Sequence, residues 1–463
     1  MNLKNGYNLS VIQRFGNALT QVSERWMPDS IIIVWILTLI IFISAMVWGD
    51  ASPRKAVEAW GGGFWTLLPT SMQICIMLMT GYVVARAPVL NRLWQRLALL
   101  PSPDKPAQAV LLLSIFSMVT ACVHWGLSLM ASSMLAVFLV RRAPRVDYRL
   151  LIASAYLGLG CTWHAGLTGT APLWANTPDN PLVKNKVLTD LIPQSQTIFT
   201  PFNVILLLIV IVSVAVLMYL AHPTAEHDHK ITQQQLEAQE ISTLPEPPKD
   251  LSPSGRLIWW PGFNFGVLAL GVAWLFYQAR GAANLSQLFT FDNTNFIFLL
   301  LGVALQYRPI FFIRAMEEAG RSVWGIIIQF PFYAGIFGLF TYTNLGRALA
   351  EGFVAIGTPQ TFPLITYWFT GIINYFVPSG GSEWLVTSPY LVPAAQRIGV
   401  PMNKLILSYS WGNMMTDMIQ PFFAIPLLSV AKVQFREIMG YLLMVFFVYF
   451  IITSIAFCLL PRL

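Results

Sequence analysis

Charge is what this sequence has least of. Only 11% of its 463 residues are Asp, Glu, Lys or Arg, against about 25% in an ordinary soluble domain. Hydrophobic residues make up 56%, and uncharged runs recur along the whole chain. One of them, IIIVWILTLIIFISAMVW at 31–48, is long enough to cross a hydrocarbon core of about 30 Å. So little charge excludes a soluble globular domain, and the recurrence of such runs makes the chain a polytopic membrane protein.

Cysteine is also scarce. Cys75, Cys122, Cys161 and Cys458 lie singly in apolar segments, without the paired spacing of a disulfide framework or a zinc site. They are expected to be small buried residues. HExxH and a glycine-rich phosphate loop ending in Lys-Ser/Thr are absent, so no enzyme signature, cofactor or resident metal is read here. The N-terminus is not expected to act as a cleavable signal either: the first apolar run starts only at Ile31, is too long for a signal core and has no small-x-small exit. The net charge of +7 is spread over short loops. That spread fits membrane orientation and argues against nucleic acid as a partner.

Nine crossings are expected, at about 31–48, 65–85, 150–175, 203–221, 257–277, 293–307, 322–342, 405–431 and 438–460. Stretches 107–140 and 361–395 are broken at their centres by small or polar residues, and read as re-entrant hairpins enclosed by protein or a wet cavity. With the N-terminus in the cytoplasm, 19 of the 28 Lys and Arg fall on the cytoplasmic side, as orientation requires. The four arginines of RRAPRVDYR at 141–149 are the strongest anchor.

Sliding the chain along itself by 254 residues aligns Gly81 with Gly335, Gly126 with Gly380, Ser128 with Ser382, Ser154 with Ser408, Gly158 with Gly412, Thr162 with Thr416 and Pro172 with Pro426. The predicted fold is therefore all-α, with two inverted repeats, two re-entrant hairpins and broken helices at the midplane. The first repeat is 1–221, a cytoplasmic linker is 222–256, and the second repeat is 257–463 with one extra helix. Inverted repeats with paired broken helices place a binding site between the halves, as in secondary transporters. The linker's HPTAEHDHK at 222–230 has metal-ligating residue types, yet reads as a solvated connector.

At the hairpin tips, glycines let the chain turn and admit a ligand to the main chain. Free amides at the start of the next arm hold an anion without arginine. Four ionisable side chains fall within the membrane core: His124, His164, Glu383 and Asp417. Such residues are costly there and usually face a cavity; the plain alternative is an interfacial position. For the glycines of 158–172 the plain alternative is close helix packing.

An ordered series of segments resembles the bacterial short-chain fatty acid transporter family: DYRLLIASAYLG (147–158), ANTPDNP (175–181), QFPFYAGI (329–336), VPSGG (377–381), PYLVPAAQ (389–396) and QPFFAIP (420–426). The similarity runs from about Trp26 to the C-terminus. It implies a cytoplasmic-membrane carrier that takes up small monocarboxylates such as acetoacetate or butyrate. It also implies the wider ion-transporter superfamily, whose members move a substrate domain against a fixed scaffold and are often homodimers. Where the family usually reads Asn-Trp-Gly, this chain has His124-Trp125-Gly126. After PSGG, where the family tends to carry a third glycine and a histidine, it has Ser382-Glu383.

The expected substrate contacts come from five places. They are His124, Trp125, Gly126 and Ser128 at the first tip, and Thr162, His164, Gly166 and Thr168 in the first broken helix. Ser379, Gly380, Gly381, Ser382 and Glu383 form the second tip. Asn413 and Thr416 lie in the second broken helix, with Gln329 and Tyr333 around Pro331. Asp417 and Glu383 are the candidates for coupling to H⁺ or Na⁺. The reading is a symporter of short monocarboxylates. Its alternatives are a carrier of another small organic anion, such as an amino acid or a dicarboxylate, and an intramembrane enzyme built on the same acids and histidines. The lack of intramembrane arginine weighs against a dicarboxylate.

Overall fold

The computed structural model describes residues 30–177, 190–223, 250–282, 288–321, 323–376 and 380–460, with isolated positions between them. Among these residues there are twenty α-helices and no strand. The first half runs α1 (Ser30–Val47), α2 (Pro53–Gly63), α3 (Leu68–Ala85), α4 (Pro88–Leu97), α5 (Ala107–Val123), α6 (Trp125–Arg142), α7 (Tyr148–Cys161), α8 (Thr170–Ala175) and α9 (Pro201–Leu220). Two helices follow, α10 (Pro253–Trp259) and α11 (Gly262–Gly281). The second half runs α12 (Phe291–Gln306), α13 (Pro309–Gly320), α14 (Trp324–Tyr342), α15 (Leu345–Ile356), α16 (Phe362–Phe376), α17 (Gly380–Ile398), α18 (Met402–Asp417), α19 (Ile425–Ala431) and α20 (Phe435–Leu459).

Helix ends follow local chemistry. Proline opens α2, α4, α9 and α13, where its missing N–H costs nothing and its φ is already helical. Asp147 caps α7, its Oδ1 accepting from Leu150 N at 2.7 Å. Ala87, held extended before Pro88, separates α3 from α4 at a bend of 69°.

Both hairpins are present, α5–α6 and α16–α17, within a few residues of the stretches 107–140 and 361–395. The two interrupted crossings are also present. α7 stops at Cys161 and α8 starts at Thr170; α18 stops at Asp417 and α19 starts at Ile425. Among the described residues, five spans are long and apolar enough to cross a bilayer on their own: Tyr148–Ala175, Pro201–Leu220, Gly262–Gly281, Trp324–Tyr342 and Phe435–Leu459. The other expected crossings are shorter or interrupted. The crossing expected at 257–277 is displaced, because Trp260 and Pro261 divide α10 from α11. The sequence reading also missed the short helices α2, α4, α13 and α15. In α2, exposed Arg54 and Glu58 face away from buried Ala56, Ala59 and Gly63. Such two-faced helices suit a membrane interface. Cys458 is exposed rather than buried. His227, Asp228 and His229 lie outside the described residues.

Packing is reciprocal. α2 packs on α14 while α13 packs on α3; α1 packs on α14 while α12 packs on α3. α8 meets α17 and α19 meets α6. α7 contacts α18, and α9 contacts α20. The element order recurs with helix starts 254–257 residues apart from α3/α14 to α8/α19.

Arg142 is exposed. Ala394 is fully buried, so the reporter for the second hairpin is the exposed Gln396. Single cysteines at these two positions, in a background lacking the four native ones, are expected to react with impermeant reagents from opposite sides of the membrane. Labelling from one side defeats the inverted arrangement.

Candidate functional site

The two hairpin tips and the two helix breaks converge. Ile74, Trp125, Leu159, Trp163, Thr170, Phe291, Gly380, Gly381 and Phe423 enclose a cavity of about 20 Å³, room for about one water. Its wall is aromatic and aliphatic apart from Thr170, whose Oγ1 has no hydrogen-bond partner, and the two glycines.

Behind the wall lies a fully buried polar network. His164 Nε2 accepts from Ala171 N at 3.0 Å. Its Nδ1 therefore carries the proton and donates to Asn413 Oδ1 at 2.8 Å. Asn413 Nδ2 donates to Glu383 Oε2 at 2.6 Å and to Asn374 Oδ1 at 2.8 Å. Asn374 Nδ2 donates to Asp417 Oδ1 at 2.7 Å and Thr416 Oγ1 at 3.1 Å. Trp163 Nε1 donates to Asp417 Oδ2 at 3.0 Å. Thr416 Oγ1 also donates to Gly371 O at 2.7 Å. Where α18 ends, Tyr156 OH donates to the freed carbonyl of Asp417 at 3.0 Å. Trp163 belongs to both cavity and network: its ring lines the cavity, stacks on His164 at 4.4 Å, and presents its N–H to Asp417.

The expected residues divide accordingly. Trp125, Gly380 and Gly381 line the cavity. His164, Glu383, Asn413, Thr416 and Asp417 share the network. Ser128 instead donates to Ser117 O at 2.6 Å, and Thr162 to Met118 O at 2.8 Å, both as helix ties. Thr168 Oγ1 accepts from Trp125 N at 3.2 Å, and His124 Nδ1 from Leu127 N at 3.1 Å. At the first tip these amides are thus taken up by side chains. Gly126 packs against α3, where an added Cβ would lie 3.1 Å from Met77 O and 3.2 Å from Leu78 Cα. A Cβ on Gly166 would collide with the Cys122 backbone, so this glycine serves close packing at the break. Gln329 and Tyr333 are buried on α14 and are not on the cavity wall. Gln73 on α3 ties that helix to α12 by accepting from Asn295 Nδ2. Ser379 lies outside the described residues, and the Ser382 side chain is not described.

Sequence reasoning missed Asn374, Trp163, Thr170 and Tyr156. Asn374 carried a readable signal: it is a lone carboxamide at the end of an apolar arm, four residues before Pro378.

The fold is that of solved membrane transporters. The YdaH transporter of Alcanivorax borkumensis superposes with a TM-score of 0.57 at 17% identity, covering 94% of this chain and 98% of that one. MtrF of Neisseria gonorrhoeae, described among a class of antimetabolite efflux pumps, gives 0.53 at 16% identity, covering 95% and 97%. That likeness defines the class of the fold, a multi-pass helical membrane protein. Residues 11–460 match the short chain fatty acid transporter family. Relatives in Escherichia coli K12 and Haemophilus influenzae, each described as "Putative short-chain fatty acid transporter", are 34% and 32% identical. Each alignment covers 93% of this chain and 96% of the relative. The chain belongs to that family.

Two glycines that look alike in sequence should behave differently. A Cβ on Gly380 would lie 2.6 Å from Trp163 Cη2, 2.7 Å from Thr170 Oγ1 and 2.8 Å from His164 Cε1. Overpacking of this kind costs about 1–3 kcal/mol; where that cost falls on the transport barrier, Gly380→Ala is expected to slow uptake by about five- to 150-fold. Gly126→Ala should instead lower the detergent Tm, by loosening α6 from α3. Normal uptake by Gly380→Ala would move the site away from this cavity. Asn374→Ala strands Asp417 Oδ1 and an Asn413 N–H, at about 1–3 kcal/mol each. A Tm unchanged from wild type would show that Asn374 does not organise the network.

Proposed function

We propose that the protein is a secondary active symporter that takes up short-chain monocarboxylates, such as acetoacetate or butyrate, across the bacterial cytoplasmic membrane, driven by an H⁺ or Na⁺ gradient. The observation that carries this reading is the cavity. Once the cavity widens beyond its present one-water volume, its aromatic walls suit a short acyl chain, and the Thr170 hydroxyl, unpartnered among the described residues, with the Gly380–Gly381 backbone suits the carboxylate. The site needs no guanidinium for a single carboxylate. Among the described residues, no Lys or Arg is buried, which disfavours a dicarboxylate, since a second carboxylate usually calls for paired cationic contacts.

The reading includes two inverted repeats, 1–221 and 257–463, joined by the segment 222–256, with the N-terminus in the cytoplasm. The reciprocal packing supports it. α3, α12 and α13 on one side, and α14, α1 and α2 on the other, form the scaffold. The hairpins and broken helices carry the substrate, and alternating access moves them against that scaffold. The small cavity corresponds to an occluded state. α11, with only 11% of its apolar window buried, offers a face for a homodimer.

The test is uptake of labelled acetate, butyrate and acetoacetate into proteoliposomes under separate proton and sodium gradients. Gradient-driven accumulation of chemically unchanged solute, competed by unlabelled butyrate, is expected. Absence of accumulation of all three under both gradients would defeat the proposal.

A further inference from the structure

Among the described residues, no Lys or Arg is buried beside Glu383 and Asp417. Arg54–Glu58, Arg86–Glu318, Arg149–Glu437 and Arg347–Glu351 are ion pairs of exposed or part-exposed side chains, and the described buried polar side chains include no Lys or Arg. Two ionised carboxylates in one desolvated network, with no cation between them, are strongly disfavoured. The network has to accommodate one positive charge.

The hydrogen-bond inventory locates it. Asp417 accepts on both oxygens, from Asn374 Nδ2 and Trp163 Nε1. Such an environment suits an ionised carboxylate, which only accepts. Glu383 Oε2 accepts from Asn413, but Oε1 has no partner among the described residues although the residue is fully buried. Asn413 has nothing more to give: both N–H groups and its oxygen are engaged. A bare, desolvated anionic oxygen is the costliest arrangement; a hydroxyl in its place removes the charge.

On the reading of the chain as an ion-coupled carrier, we propose that Glu383 carries the coupling proton, while Asp417 stays a fixed anion. When the cavity opens to one side, Oε1 takes a proton from water there and the carboxylate becomes a neutral acid. In the occluded state the acid keeps it. When the cavity opens to the other side, the O–H breaks and the proton returns to water. A metal cation fits less well. The nearby polar groups are mainly N–H donors, from Asn413, Asn374, Trp163 and His164 Nδ1, whereas hard cations take several oxygens. The titratable groups around Glu383 are Asp417 and Tyr409 on α18, Tyr390 on its own helix, and His164 through Asn413.

The test is infrared spectroscopy of the full chain in liposomes at neutral pH, read at the carbonyl stretch of protonated carboxylic acids. The wild type should show a buried band that Glu383→Gln removes, Glu383→Asp shifts and Asp417→Asn retains. In transport, Glu383→Gln should lose proton-driven accumulation yet keep counterflow, because exchange moves no net proton. Loss of the band in Asp417→Asn with its survival in Glu383→Gln would reverse the roles and overturn the proposal; so would a wild type with no such band. The infrared comparison is decisive even if no short carboxylate is transported, so the two readings fail separately.

Discussion

The constraint on which the site depends is a carboxylate at the wrong end of a helix. Asp417 is the last residue of α18, where the helix dipole and the free carbonyls repel negative charge. It is also buried, and no Lys or Arg is buried among the described residues to offset it. Only donors brought from elsewhere make that position tolerable. Asn374 reaches it from the end of α16, Trp163 from the first helix break, and Tyr156 OH covers the carbonyl released where α18 stops. Charge-assisted hydrogen bonds of this kind are worth about 1.5–3 kcal/mol each. The acid thereby pins together a hairpin arm and both broken helices.

Trp163 turns that pin into a connection between binding and charge. One face of the indole meets the cavity and its N–H holds Asp417. A guest pressing on the ring therefore acts on the geometry of a buried anion, and through Asn374 and Asn413 on Glu383. The chain of donors and acceptors is continuous from Ala171 N to Asp417. One side chain thus belongs both to the cavity wall and to the hydrogen bonds of Asp417.

Much of this was legible in the sequence. The centres of the hairpins showed in small and polar residues interrupting apolar runs, and the breaks in Pro172, Pro426 and the glycines around them. The intramembrane acids and histidines stood out because so little else there is charged. What stayed hidden was hidden for physical reasons. Trp163 looks like one more apolar residue until its N–H finds a partner 254 positions away. Asn374 sits on α16, whereas the groups it binds, on Asn413, Thr416 and Asp417, sit on α18. Ser128 and Thr162 read as ligands, yet they bond backbone carbonyls of α5, a common fate of small hydroxyls in helices. Glycine gave the weakest guidance: Gly126 and Gly380 occupy matching places, but the first touches the backbone of α3 and the second touches side chains at the cavity.

Matching places also explain why the chemistry is one-sided. Moving back 254 residues from Asp417, Asn413, Glu383 and Asn374 gives Trp163, Leu159, Leu129 and Thr120. The frame of helices recurs, but the acids and carboxamides occur in the second half alone. Because α7 and α18 pack on each other, matching positions come face to face, and Asp417 meets its own counterpart, Trp163. A symmetric pair of acids there would set two like charges against one another in a desolvated site. Replacing one of them with an indole gives the remaining carboxylate a donor and gives the cavity an apolar wall. The recurring frame thus encloses one polar network and one cavity rather than two copies of each.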